Sequence, residues 1–536
     1  MTDYVIVGAG SAGCVLANRL SENPKNTVTL LEAGDADRSM MIHVPIASGD
    51  LIRRGAFGWN FHTEPEPALG DRRIFWPRGK VLGGCSSING QVYIRGHRSD
   101  FDHWAQLGNS GWSHDELLPY FRRSEGHADR NDPAHGRDGE LRITRAAMEN
   151  PLFDAFVQAG GEAGYPATDD FNGAQQEGFG RFDFTTWNGR RQSSAVAFLR
   201  PAKGRPNLRV VKHAHVTRVV IHDGRAVAVE ARVRGRPTRF AAAREVILSA
   251  GVVGSPHVLM LSGIGAGAAL SAQGISVQTD LPGVGGNLQD HVQSPLMFAC
   301  NAPLTMHQLI RMDRAALRFA QALFLRSGPF AHFPVQGGAF TRSRPGLEVP
   351  DTQWHFGIAL GMRRARWPSW KASGDPFDRD GFTLAPCLLR PQSRGRISLA
   401  SSDPDAAPRI EARYLSAEAD RLFFRDVLRD GRRIAGQPAL SRYVAAELRP
   451  GDAVQSDDEI DAYVRETLAT CHHQVGTCKM GVDPQAVVDP QLRVRGVAGL
   501  RVADASIMPT LVGGNTNAAA IMIGEKASDL VLGKAA

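Results

Sequence analysis

"DYVIVGAGSAGCVLANRL", residues 3–20, decides the fold. Tyr4 to Val7 form a short apolar run suited to a buried parallel strand. Gly8, Gly10 and Gly13 then space out G-x-G-x-x-G around Ser11 and Ala12, and the stretch from Ser11 onward carries helical periodicity. A turn, SENPKN, leads into a second strand-like run, TVTLLEAG, whose Glu32 and Ala33 come nineteen and twenty residues after Gly13. Strand, glycine turn, helix, strand and terminal acid in that order make a dinucleotide-binding unit. The glycines let the backbone turn tightly and approach a pyrophosphate, whose charge rests on the free amides of the helix start. Glu32 is expected to accept hydrogen bonds from ribose hydroxyls, which selects an unphosphorylated ribose.

Outward from that stretch, the whole chain reads as an ordinary α/β globular protein. Its 536 residues can bury a large core, and hydrophobic (43%) and charged (22%) fractions are typical of folded domains. The net charge of +7 comes from scattered basic residues, mostly Arg, with no run of like charge that predicts a nucleic-acid arm. The opening MTDYVIVGAG has no basic and apolar leader, so no secretory signal is expected. Apolar stretches such as EVILSAGVVGSPHVLMLSGIG are broken by Gly, Ser and Pro, so no transmembrane segment is expected either. The six cysteines form no C-x-x-C pair and suit a reducing, cytoplasmic location.

Glycine-rich motifs recur far beyond the first turn: PRGKVLGGCSSING (77–90), SAGVVGSPHVLMLSGIG (249–265), GVGGNLQDH (283–291) and LRVADASIMPTLVGGNTNAAAIMIGEK (500–526). A nicotinamide enzyme does not need them dispersed to the C-terminus. The chain is similar to the glucose–methanol–choline (GMC) family of FAD-dependent oxidoreductases, and to its choline dehydrogenase-like branch. One family segment is matched by Arg78, Gly79, Lys80, Gly83, Gly84, Ser86, Ser87, Ile88, Asn89 and Gly90, and a second by Gly254, Ser255, Pro256, Ser262, Gly263 and Gly265.

The resemblance implies a discontinuous Rossmann-like FAD-binding domain (about 1–150, 205–300 and 470–536) under a substrate-binding cap (151–204 and 301–469) built on an antiparallel sheet. It implies that Val81, Gly84, Ser87, Asn89 and Gly90 pass beside the flavin ring. Some relatives attach FAD through a His at the position of Ile88; since Ile88 has no nucleophilic atom, FAD is expected to be bound non-covalently. By the same likeness Val216 backs the adenine. Ala250 and Gly251 open the second crossover, Asp504 and Ala505 meet the ribityl or pyrophosphate part, and the helix from Thr516 and Asn517 points at the flavin pyrimidine.

TCHHQVGTCKMG (470–481) places two cysteines and two histidines in twelve residues. Cys471 and Cys478 lack zinc-type spacing, so neither a metal nor a redox thiol pair is expected. Relatives carry a His-Pro-Val-Gly-Thr pattern here; aligned on Val475, Gly476, Thr477, Met480 and Gly481, its catalytic His is His473, with His472 in place of an aromatic and Gln474 in place of Pro. The family's second catalytic position falls on Asn515 in VGGNTN. Together they imply that neutral His473 takes an alcohol's hydroxyl proton while hydride passes to flavin N5, and that Asn515 donates to the developing alkoxide.

Three segments read as cap strands: DTQWHFGIAL (351–360), FTLAPCLLR (382–390) and GRISLASSDP (395–404). Choline-oxidising relatives carry a Glu in a segment resembling FPVQGGAF. Gln336 stands in its place here without charge, which turns the expected substrate from choline toward a neutral primary alcohol. His472, and His355 in QWHF, are further candidates for the pocket, His355 with an interior strand position as its alternative. The expected partners are that alcohol and an electron acceptor, whether oxygen, a quinone or a dye. Choline dehydrogenase, or a flavin-containing hydroxynitrile lyase, is the alternative activity.

Overall fold

The computed structural model describes residues 2–361, 366 and 374–534. The first glycine turn sits at the centre of a seven-stranded sheet, built from β1 (Thr2–Val7), β2 (Val28–Leu31), β3 (Leu208–Val211), β4 (Ala214–His222), β5 (Arg225–Val233), β6 (Arg236–Leu248) and β7 (Leu500–Val502). The spatial order is β3-β2-β1-β6-β5-β4, with β7 added on β6. β1, β2, β3, β7 and the C-terminal half of β6 run parallel. Tyr4 to Val7 are buried, as a parallel strand covered on both faces requires. β6 is thirteen residues long, and its first half leaves the parallel array to pair antiparallel with β5. Asp223 and Gly224, both at positive φ, make the tight hairpin from β4 to β5 that the Asp-Gly pair predicts.

Helix α1 (Ser11–Leu20) follows the glycine turn and packs beside α2, the C-terminal helix (Asn517–Val531). Gly13 sets that packing. A Cβ there would fall 1.9 Å from the carbonyl oxygen of Gly8, so no other residue lets α1 sit this close to β1. Buried Glu525 of α2 accepts from Arg19 of α1 at 2.8 and 2.9 Å and from Arg123 at 2.7 Å.

The second layer is an eight-stranded antiparallel sheet. Its order is Val444–Arg449, Leu296–Cys300, Gly381–Leu388, Thr352–Gly357, Val335–Thr341, Gly178–Arg181, with the short strand Val292–Gln293 attached to Gly381–Leu388 and Ala469–Thr470 paired in turn with Val292–Gln293. Helices 151–162 and 418–435 cover one face: Phe156 stacks on Phe356 at 4.5 Å, and a Cβ at Gly431 would lie 2.6 Å from Leu296. Because strand side chains alternate, Trp354 and Phe356 turn to the helices while Gln353 and His355 turn the other way.

Two sequence expectations shift here. Residues 292–300, grouped by sequence with the nucleotide-binding part, belong to the antiparallel sheet. The segment 395–404 is not a strand of that sheet. Only Arg396–Ser398 is extended, and it pairs with Arg409–Glu411 because its backbone is already bonded to Gly285 and, through Gly395, to Leu288.

Candidate active site

The carboxyl ends of β1, β2, β6 and β7 open on one cavity of about 840 Å³, which runs from the first glycine turn to the inner face of the antiparallel sheet. At its nucleotide end α1 and α2 both start without a side-chain cap, so their first-turn amides are donors with no partner inside the helix. Ser11 donates to Asn517 Oδ1 at 2.7 Å and ties the two helix starts together. Gly10 leaves the approach open, since a Cβ there would meet nothing nearer than 3.9 Å. Gly84 lies over it with φ +53°, where a Cβ would come within 2.8 Å of the Gly10 Cα. Two convergent, uncapped helix starts and a bare backbone floor fit a ligand carrying a pyrophosphate.

Most residues expected to hold FAD line this end: Gly8, Gly10, Ser11, Ala12, Glu32, Ala33, Gly84, Asn89, Gly90, Val216, Ala250, Gly251, Asp504, Ala505, Thr516 and Asn517. Glu32 lines it, but its carboxylate accepts from the amides of Ala9 (3.0 Å) and Gly34 (2.8 Å), and burial pushes its pKa up to about 7. Asp504 likewise binds the amide of Gly251 at 2.9 Å and the hydroxyl of Ser255 at 2.6 Å. Three expected residues do not reach the cavity. Gly13 serves the helix packing above; Val81 is buried against Ile42, Leu51 and Ile88; Ser87 is turned back, donating to the carbonyl of Leu82 at 2.7 Å.

At the other end the chain brings His473 and Asn515 together, with Asn515 Nδ2 3.0 Å from His473 Nε2. Local geometry explains why position 473 faces the cavity. His472 takes φ +66°, which swings the chain, and Arg78 holds the His472 carbonyl at 3.1 Å. Asp290 then clamps the segment: it accepts from the His473 amide at 2.9 Å, and from Tyr414, Thr470 and Gln474 at 2.6, 2.6 and 2.9 Å. Burial raises the Asp290 carboxyl to about 6. His472 lines the cavity with a buried Nδ1 that has no protein partner, and burial holds it near 3. His355 also lines the cavity and is held near 4 by burial. Burial and the neighbouring His291 keep His473 well below its ordinary value, so it is a neutral imidazole at neutral pH.

Gln336 departs from expectation. Val335 faces the cavity, so the next side chain points to the opposite face, where Gln336 accepts from the amide of Met148 at 2.8 Å and from Arg181 at 3.1 Å. The glutamines that do line the cavity are Gln91, Gln293 and Gln474, of which Gln293 belongs to the antiparallel sheet. Sequence reading also gave no role to Asp290, His291 or Gln353, although the first two close the glycine-rich segment GVGGNLQDH, which was a visible signal. His291, Cys387 and His473 bring ligand-type atoms within 4.8 Å of one another, but the two Nδ1 atoms are bonded to each other at 3.0 Å.

Among the described lining residues the carboxylates are Glu32, Asp50, Asp405 and Asp504, none of them from the antiparallel sheet or from 470–474. Residues 362–373 contain no Asp or Glu. The catalytic end combines an apolar wall of Phe333, Val335, Ala359, Leu360, Phe377 and Ala385 with polar side chains such as Gln293, His355, His472, His473 and Asn515.

Comparison with known proteins agrees over the full length. Residues 2–293 and 391–524 match family models described as GMC oxidoreductase. The chain is 46% identical to an oxygen-dependent choline dehydrogenase of Sinorhizobium fredii, over 99% of this chain and 96% of the relative. Among solved structures it superposes on pyridoxine 4-oxidase from Mesorbium loti with a TM-score of 0.87 at 32% identity, covering 98% of both chains. A formate oxidase of Aspergillus oryzae gives 0.92 at 28% identity over 99% of this chain and 98% of that one. Among the described residues no helix is long and apolar enough to cross a membrane.

Proposed function

Because the chain belongs to the GMC oxidoreductase family, we propose that it oxidises a neutral primary alcohol at the catalytic end of this cavity, with His473 as base and Asn515 as donor to the alkoxide. The protein is an FAD-dependent oxidoreductase acting on CH–OH donors. Bound FAD supplies the acceptor for the hydride that leaves the carbinol carbon. The open helix start at Ser11 would hold its pyrophosphate, the start at Asn517 would face the flavin pyrimidine, and Gly84, Asn89 and Gly90 would lie along the ring. Ile88 offers no atom for a covalent link, so attachment is non-covalent.

His473 and Asn515 carry the chemistry. His473 is neutral and takes the hydroxyl proton at Nε2; the Asn515 amide N–H is placed to stabilise oxygen as negative charge develops on it. The surrounding apolar wall excludes water and strengthens both interactions.

Choline dehydrogenase is the second reading, since relatives of that name share up to 46% identity. Against it, the described residues that line the catalytic end include no carboxylate, where a quaternary ammonium would need one or a strong aromatic cage. A panel of benzyl, short aliphatic and choline alcohols, mixed anaerobically with the holoenzyme, decides between them. Neutral alcohols should bleach the flavin band at far lower concentration than choline; preferential bleaching by choline overturns the substrate assignment, and a lyase would leave the flavin oxidised throughout. Readmitting air or a quinone then identifies the acceptor. Six free cysteines support a reducing, cytoplasmic location.

A further inference from the structure

His291 ends the segment GVGGNLQDH and is wholly buried behind His473, from which its ring is turned by 89°. Its Nε2 lies 3.0 Å from the carbonyl oxygen of Leu389. A carbonyl can only accept, so His291 carries its hydrogen on Nε2. Burial holds this imidazole near 3, neutral, which leaves Nδ1 bare. That bare nitrogen sits 3.0 Å from Nδ1 of His473. Two bare nitrogens cannot bond, so His473 carries its hydrogen on Nδ1 and, while neutral, its lone pair on Nε2. The far end of the chain agrees: Gln353 donates to Asn515 Oδ1 at 3.0 Å, which turns the Asn515 amide hydrogens toward that lone pair. Every donor from Gln353 to Leu389 meets an acceptor in one polarity only.

We propose that His291 is a positioning residue that fixes His473 in the tautomer whose lone pair, on Nε2, faces the catalytic end of the cavity. The inference rests on His473 being the base. Once Nε2 has taken the hydroxyl proton, the Nδ1–H of the imidazolium still donates to His291, so the new charge rests beside a neutral acceptor. His291 cannot pass the proton on, because its own N–H is held by Leu389. The proton stays on His473 until it leaves through the cavity. The other groups facing His473 are His355 from the sheet, neighbouring His472, Arg78 and Asp290. Of these only Asp290, near 6, titrates close to neutrality, so an acid limb near that value belongs to Asp290 and shifts in Asp290→Asn.

Nitrogen-15 spectra of histidine-labelled holoenzyme, with the His473 signals assigned by their loss in His473→Gln, read the tautomer without substrate. The wild type should show a protonated Nδ1 and a bare Nε2. His291→Leu should move hydrogen to Nε2, slow anaerobic flavin reduction by about 10- to 100-fold and leave KM within about twofold. His291→Asn keeps an acceptor near the old Nδ1 and should restore most of the rate. A wild-type His473 protonated on Nε2, or His291→Leu with the wild-type tautomer and rate, overturns the proposal. A tautomer shift with no loss of rate supports the lock and overturns His473 as base. Should His291→Leu fail to hold FAD, the wild-type spectrum and His291→Asn still decide.

Discussion

The two ends of the cavity are built in different ways. The nucleotide end is largely backbone: glycines, helix starts and strand ends, with its first parts, Gly8 to Ala12 and Glu32 to Ala33, set out in one short stretch of sequence. The catalytic end is mostly side chain: His291, Gln353, His473 and Asn515, with the carbonyl of Leu389, come from five segments, four of them brought together by the antiparallel sheet and the fifth by the turn before the C-terminal helix. Backbone sites fail by steric intrusion, all at once. Side-chain sites lose function in steps, one hydrogen bond at a time.

The sharpest contrast comes from intrusion. Gly13→Val forces a side chain into the 1.9 Å approach to Gly8, and should abolish FAD retention entirely, measured as flavin absorbance after desalting. Full retention would break the claim that backbone contact builds this end. At the catalytic end Asn515→Ala removes one donor, about 3 kcal/mol, and should slow flavin reduction by roughly 10²- to 10³-fold with FAD still bound.

Acid should separate the ends more gently. His291 and His472 near 3 and His355 near 4 stay neutral in the folded protein, whereas in the unfolded chain they protonate below about 6.5, so they destabilise the fold as pH falls. Glu32 near 7 and Asp290 near 6 work the other way, being protonated in the folded state well above their unfolded values. Each uncompensated histidine should lower the unfolding free energy by about 1.4 kcal/mol per pH unit from 6.5 toward 4.5. His355→Phe should flatten the slope seen by denaturant titration; an unchanged slope would place the acid sensitivity elsewhere. The smallest effect concerns substrate choice. Gln293→Glu should raise the preference for choline over a neutral alcohol by about tenfold in kcat/KM, while Gln336→Glu, outside the cavity, should not raise it.

The same division decides what was legible in sequence. Gly8 to Gly13 and Glu32 announce themselves because dinucleotide binding is written in local spacing, and β1, α1 and β2 form where periodicity predicts. His473 and Asn515 were found through likeness to a family, since nothing in TCHHQVGTCKMG alone separates an acid–base histidine from a packed one. Gln336 was misplaced because a strand's two faces differ by one residue, and only the sheet fixes which faces inward. His291 stood in a quoted motif without a role, because its partner lies 182 residues away. Glu32 lines the cavity, and the Ala9 and Gly34 amides that hold its carboxylate there are contacts that spacing alone does not announce.

The most direct test is anaerobic rapid mixing of His473→Ala holoenzyme with an alcohol that bleaches the wild type. Stoichiometric FAD with reduction slowed by at least about a thousandfold is the expected result, since the loss of a triad-type base costs that order. A variant that holds FAD and reduces it at the wild-type rate would show that the proton leaves the alcohol by another route.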